Sequence, residues 1–253
     1  LAVEAVREIL YGRQPVRECL RARRRHIHRL ILAEGVSKKG VIADILDLAA
    51  GLKLPLKHVP RPQLDVISKV NQGVALEVAG YPYVEVADIL SRARKLAEQP
   101  FILAMDHLQD PHNLGALLRT AEVVGTHGAI IPHRRAAAVT PAVVSASAGA
   151  SEYLRVAQVA NLAQTLKALK TDGLWVIGLI SHPDAQIYHQ VDLNLPVALV
   201  IGAEDQGLSR LVRETCDLLI RLPMRGQIES LNASVAGGVA LYAVQAARGF
   251  SAG

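Results

Sequence analysis

Three stretches of the 253-residue chain set side chains able to do chemistry directly behind apolar runs: DHLQDPHNLGALLRTAE after FILAM, IGAEDQGLSRLVRE after VALV, and LPMRGQIESLNASVAGG after DLLIR. Among their side chains are the amides of Asn113 and Asn232, the carboxylate of Glu204, the guanidinium of Arg119 and the hydroxyl of Ser230, with Gly202 and Gly207 beside them. Such a set can orient a polar ligand and balance charge on it. In an open α/β sheet, ligands bind outside the carboxyl ends of strands, so three such ends read as one composite site. Neither GxGxxG nor GxxxxGK[ST] follows any strand-like run, which disfavours an ordinary dinucleotide or P-loop fold. Taken singly, each residue has a structural alternative. Asn113 can cap the helix whose apolar stripe is Leu114, Leu117, Leu118 and Ala121, Arg119 can pair with Glu122, and Glu204 can sit in solvent. Gly202 and Gly207 can serve tight turns, and Ser230–Asn232 can be a helix start. Their joint occurrence favours the composite site.

The elements that must position these residues alternate. The front end reads as helix 16–23, strand 28–33, helix 40–50, strand 56–59, a short helix 63–68 and strand 74–78, a small α/β unit. Gly80-Tyr81-Pro82-Tyr83 breaks it, 84–98 reads as a connecting helix, and Pro100 stands before the strand FILAMD. Behind this come helix 113–124, strand 128–132, helix 139–148, strand 154–159, helix 161–171, strands 174–181 and 197–203, helix 208–215, strand 217–222 and a final helix of about 17 residues from Leu231. Continuous apolar strands such as VALVIG predict a mostly parallel sheet covered on both faces. The expected division is residues 1–80, a linker 81–99, and a second domain 100–253.

The formal net charge of +5 is unevenly spread: residues 1–100 carry 17 Lys+Arg against 11 Asp+Glu, and residues 101–253 carry 11 against 12. A basic front end suits a polyanion, and RARRRHIHR (21–29) is its densest run, either a nucleic-acid footprint or a solvated helix end. Cys19 and Cys216 lie far apart without metal-ligand spacing, and no metal site is expected. The first residues lack a signal-like apolar core and no later segment approaches a membrane span, so a cytoplasmic protein with reduced thiols is the expectation.

The motif set resembles the SpoU branch of the SPOUT superfamily, S-adenosylmethionine-dependent RNA ribose 2′-O-methyltransferases. NLGALLRTAEVVG matches its first motif at Asn113 and Arg119. LVIGAEDQGLS matches the second at Gly202, Glu204 and Gly207, and LPM with ESLNASVA matches the third at Pro223, Met224, Ser230, Leu231 and Asn232. At the front, LYGRQPVREC and VNQGVALEV look like the substrate-binding domain of the bacterial enzyme that methylates a guanosine in the peptidyl-transfer region of 23S rRNA, with Asn71 where that subgroup commonly has histidine.

The resemblance implies a C-terminal parallel-sheet α/β trefoil-knot domain behind a small ribosomal-protein-like α/β RNA-binding domain. It also implies a homodimer with the active site completed at the subunit interface. S-adenosylmethionine would be bent across three knot loops and held largely by backbone of Gly202, Leu222 and Leu231, with Met224 and Asn232 as neighbours. Glycines there would let backbone approach the ligand closely. Arg119 would grip the adjacent phosphate and stabilise negative charge developing on the 2′-oxygen, since a guanidinium stays protonated in proteins and makes a poor base. Asn113 would orient Arg119 or the ribose, while Glu204, Ser230 and Asn232 would support the loops. Arg21, Arg23, Arg24, Arg25 and Arg29 would grip RNA phosphates, 23S rRNA being the leading partner. Two rivals stand beside this: the same chemistry on a tRNA guanosine or an rRNA adenosine, and a non-catalytic RNA-binding or assembly protein.

Overall fold

The structure is a computed structural model, and it describes residues 7–204, 206–228 and 230–249. These fall into two compact units: the chain up to Pro82 together with Val139–Tyr153, and Tyr83–Ala138 together with the chain from Leu154 onward. The chain first passes from one unit to the other at Pro82–Tyr83. The assignment of 139–153 to the first unit departs from a single cut, and no local pattern in that segment announces it.

The first unit is built on a four-stranded sheet of order β1-β4-β2-β3, from β1 (Arg7–Tyr11), β2 (Ile27–Ala33), β3 (Leu56–Val59) and β4 (Val74–Ala79). β4 runs antiparallel to β1 and β2, and β3 runs parallel to β2. Helix α1 (Arg13–Ala22) buries Val16, Cys19 and Leu20, an i, i+3, i+4 stripe, and ends on Arg23 in the left-handed region at φ 52°. Helix α2 (Val41–Gly51) buries Ile42, Ile45 and Ala49, and α3 (Arg61–Ile67) buries Leu64. β1 is absent from the sequence prediction: REILY has charges in its first two positions and only Leu10 fully buried, so pairing with β4 makes the strand.

The second unit carries a seven-stranded sheet of order β7-β6-β5-β10-β8-β11-β9, every pairing parallel. Its strands are β5 (Phe101–Asp106), β6 (Gly128–Pro132), β7 (Val156–Val159), β8 (Trp175–Leu179), β9 (Gln186–Ile187), β10 (Val197–Gly202) and β11 (Leu218–Arg221). All six residues of β5 and all six of β10 are buried, as a sheet covered on both faces requires. Helix α4 (Val86–Leu96) is more than the expected connector, because Ile89 and Leu90 enter this unit's core beside Ile130, Leu166 and Val200. The remaining helices of the unit are α5 (Pro111–Val123), α7 (Leu162–Thr171), α8 (Arg210–Thr215) and α9 (Ala233–Ala247); α6 (Pro141–Ala146) belongs to the first unit. No helix among the described residues is long and apolar enough to cross a membrane.

The register aligns the three motif-bearing strand ends. Gly202 of β10 stands opposite Asp106 of β5, Ile201 opposite Leu179 of β8, and Leu179 opposite Ile220 of β11. The polar stretches read from the sequence therefore emerge together at the carboxyl edge.

Candidate active site

Helix α5 starts earlier than its predicted start at Asn113. Asp110 is its N-cap, accepting from the His112 N–H at 2.9 Å, and Pro111 occupies the first turn. Asn113 is thereby inside the helix, buried, and its amide turns toward the loop after β10. Its Nδ2 donates to Glu204 Oε1 at 2.9 Å, and its Oδ1 accepts from Asn232 Nδ2 at 3.0 Å. Asn232 also donates to Glu204 Oε1, which in addition accepts from the Ala233 N–H at 3.2 Å. The other end of the Asn232 amide caps α9, accepting from Ser234 N at 3.0 Å and Val235 N at 3.3 Å. One carboxylate oxygen thus joins the first turn of α5, the β10 loop and the start of α9. Asn113 orients this junction through both polar atoms of its amide.

Asp106 is a part of this construction that sequence reading missed. Fully buried at the end of β5, it accepts from the Ser209 N–H at 2.7 Å and holds His107 Nδ1 at 2.5 Å. The 203–209 loop is therefore anchored at both ends, through Glu204 and through Ser209. The available signal was an acid closing the apolar run FILAMD.

The fold itself gives a reason for glycine at 202. A Cβ there would fall into the backbone of Gly207 and within 2.6 Å of the Leu208 nitrogen. The loop folds back on itself, with Gly207 N donating to Ala203 O at 2.8 Å. Close approach of loop to loop is by itself enough to require glycine at 202.

Beside this junction lies a cavity of about 310 Å³. It brings together Gly202, Glu204, Leu222, Met224, Ser230 and Leu231, all expected site residues, and adds His182 and Arg213, which the sequence reading did not select. Apolar walls from Leu179, Ile201 and Leu222 suit a purine face, while Arg213 matches a carboxylate, so the residues fit S-adenosylmethionine in size and chemistry. Cys216 plays no part, since burial pushes its thiol up to about 12 and its Sγ points at Val212 O, 3.3 Å away.

Arg119 is not among the residues lining this cavity. It stands exposed on α5.

In the first unit, the basic run divides. Arg25 has a fully buried side chain, clamped by Glu152 (Nη2 to Oε1 2.7 Å, Nε to Oε2 3.0 Å) and by Glu8 at 2.6 Å, with Tyr81 under its guanidinium. It is a core cation and leaves the expected RNA-binding set. Arg24 donates to the Glu152 and Pro82 carbonyls at 3.3 Å, Arg21 lies 3.5 Å from Glu18, and Arg29 is bound to Glu77. Only Arg23 of the five is exposed without such an acceptor among the described residues. Tyr81 is itself buried, its hydroxyl donating to Ser151 O at 2.8 Å, and so offers no face for base stacking.

Comparison with known proteins agrees with this geometry. Residues 100–242 match the SpoU rRNA Methylase family, and residues 9–84 match the RNA 2′-O ribose methyltransferase substrate-binding family. YacO of Bacillus subtilis, named for the TrmH family of tRNA/rRNA methyltransferases, is 44% identical over 94% of each chain. The SpoU methyltransferase AviRb from Streptomyces viridochromogenes, solved with the cofactor AdoMet, shares the fold at TM-score 0.79 and 23% identity, over 96% of this chain and 90% of that one. A solved RNA 2′-O ribose methyltransferase matches at TM-score 0.75 and 25% identity, over 96% and 89%. With motifs, strand-end cavity and both family matches in agreement, the chain belongs to the SpoU rRNA Methylase family and is an S-adenosylmethionine-dependent RNA 2′-O-ribose methyltransferase.

Proposed function

We propose that the chain methylates the 2′-hydroxyl of a guanosine in 23S rRNA, with Arg119 as the catalytic cation and the Asn113–Glu204–Asn232 junction as the frame of its site. The observation that carries this reading is the single Glu204 oxygen shared by Asn113, Asn232 and the Ala233 N–H, which fixes all three motif loops around the cavity. The cofactor, when bound, supplies an electrophilic methyl group on a sulfonium. Leu222, Met224, Leu231 and Arg213 would hold it, with Ser230 at the cavity wall. The exposed guanidinium of Arg119 is available to a phosphate and to the charge growing on the 2′-oxygen. The hydroxyl proton leaves to solvent or to another group, because Arg119 is already protonated.

Function as a homodimer in the cytoplasm completes the proposal. Val235, Val239 and Tyr242 form an exposed stripe on α9 at i, i+4, i+7, with Val123 of α5 also exposed, an apolar face suited to a second copy. The knot crossing would run through residues 222–232, of which Glu229 lies outside the described residues.

The same chemistry on tRNA is the second reading, favoured by the tRNA/rRNA naming of the 44% identical relative. The substrate-binding match at 9–84 supports an RNA substrate, and the name of the family matched at 100–242 favours rRNA. Purified protein incubated with S-adenosylmethionine and unmodified 23S rRNA or tRNA, followed by nuclease digestion and mass spectrometry, separates them. Methylguanosine from 23S rRNA alone supports the proposal; methylated tRNA or methyladenosine overturns the target.

A further inference from the structure

The two ends of the first unit's sheet differ in how their basic residues are paired. Tyr11 of β1 pairs with Ala75, Leu32 of β2 with Val74, and Ala33 of β2 with Val59 of β3. The segments 12–13, 34–40, 60–61 and 68–73 therefore leave the sheet at one end, joined by Gly12 N to Val74 O (3.3 Å), Ala33 N to Gly73 O (3.0 Å) and Glu34 N to Val59 O (2.9 Å). These four segments hold Arg13, Lys38, Lys39, Arg61 and Lys69 against one acid, Glu34. Lys38, Lys39, Arg61 and Lys69 are exposed, and none has an ion-pair partner among the described residues. At the other end the RARRRHIHR run is answered by Glu8, Glu18, Glu77 and Glu152.

The unpaired end is also built to stay in place. Asn71 is buried, donating to Asp65 Oδ1 and Ser68 O and accepting from Gly73 N, each at 2.7 Å. Gln72, at φ 56°, accepts from Arg13 N through its side chain at 2.9 Å and from Arg13 Nε through its carbonyl at 3.4 Å. α1 and α2 both begin here on glycines, Gly12 and Gly40, with no side-chain cap. The positive ends of the two helix dipoles add to the charge of the lysines, although Arg13 N of α1 is already taken by Gln72. Val66 in α3 and Val70 in the segment that follows it are 88% and 63% exposed, apolar surface for an unstacked base.

We propose that this end of the sheet, through Arg13, Lys38, Lys39, Arg61 and Lys69, is where the first unit grips RNA phosphates, and that residues 21–29 are not. The inference rests on the RNA-methyltransferase reading and deepens it. The test is filter binding of unmodified 23S rRNA and tRNA transcripts across about 50 to 200 mM salt, where each phosphate contact adds about 0.7–0.9 to the slope of log affinity on log salt. Lys38→Ala/Lys39→Ala/Lys69→Ala should weaken binding at least tenfold and flatten the slope by about 2 to 3. Arg21→Ala/Arg23→Ala should leave both near wild type. Calorimetry should show unchanged S-adenosylmethionine affinity in the triple variant, as these exposed side chains carry no fold. A triple variant with wild-type affinity and slope overturns the inference alone, as does an equal loss in the Arg21/Arg23 variant. Wild-type protein that binds S-adenosylmethionine but neither RNA overturns the underlying reading with it.

Discussion

Asn113 Nδ2 lies 2.9 Å from Glu204 Oε1, a hydrogen bond between residues 91 apart in the chain that fastens helix α5 to the loop after β10. The same oxygen takes the Asn232 amide and the N–H of Ala233, so the carboxylate neutralises three donors that would otherwise repel one another at the cavity mouth. Hydrogen bonds to an ionised acceptor contribute about 1.5–3 kcal/mol each. Glu204→Ala should therefore weaken S-adenosylmethionine binding about 10- to 100-fold and lower methylation at saturating cofactor. Glu204→Gln, which keeps an oxygen acceptor, should recover part of both. Calorimetric affinity beside turnover checks this, and an alanine variant with wild-type values for both would remove Glu204 from the frame.

Arg119 should behave in the opposite way. It is exposed and outside the cavity lining, so Arg119→Ala should leave melting temperature and cofactor affinity near wild type while turnover falls about 10²–10³-fold, the usual cost of losing one donor to a developing oxyanion. Arg119→Lys should restore little, because an ammonium cannot reproduce the planar two-pronged contact with phosphate. Parallel turnover and binding measurements decide it; loss of cofactor binding with activity would point to a structural role.

How legible these features were in sequence depended on whether their cause was local. β5 and β10 announce themselves as unbroken apolar runs because both of their faces are buried. β1 does not, since only its partner strand makes it a strand. RARRR looks uniform as text, yet Arg25 becomes a core cation through Glu152, 127 residues further on, and no window of sequence contains that pair. The composite site was visible from strand ends and motif order. The fact that Asn113, Glu204 and Asn232 satisfy one another was not, because register between parallel strands decides it.

Gly202→Ala should show that the second motif's glycine is structural. The added methyl would meet backbone of Gly207 and Leu208 rather than a yielding side chain, so the loop must shift. Overpacking of this kind costs about 1–3 kcal/mol. The expected result is a lower melting temperature in the absence of cofactor, together with loss of S-adenosylmethionine binding. A variant of wild-type stability that loses only binding would instead favour direct approach of ligand to the backbone.

Glu152→Ala should be among the more damaging substitutions in the first unit. It strips the bidentate partner from Arg25, whose side chain is 0% exposed, and leaves a buried guanidinium with Glu8 as its only acid among the described residues. Breaking a buried pair from one side costs about 3–5 kcal/mol. Urea unfolding monitored for the first unit should show a midpoint shift of that order, and a change below about 1 kcal/mol would mean that Glu8 alone suffices.

Glu77 gives the first unit an acid-sensitive joint. Hydrogen bonding from Arg7 holds its carboxyl below the usual carboxylate range, against the opposing effect of burial, and Arg29 adds to the depression. A carboxylate whose folded-state value is depressed supplies stability that is complete above its unfolded value, near 4.5, and is lost as pH falls through the lower folded value. Glu77→Gln should therefore reduce stability at neutral pH and flatten the fall in melting temperature between about pH 5 and 3 relative to wild type. If the two proteins lose stability in parallel over that window, Glu77 is not the group responsible, and the pairing with Arg7 and Arg29 contributes nothing to acid sensitivity.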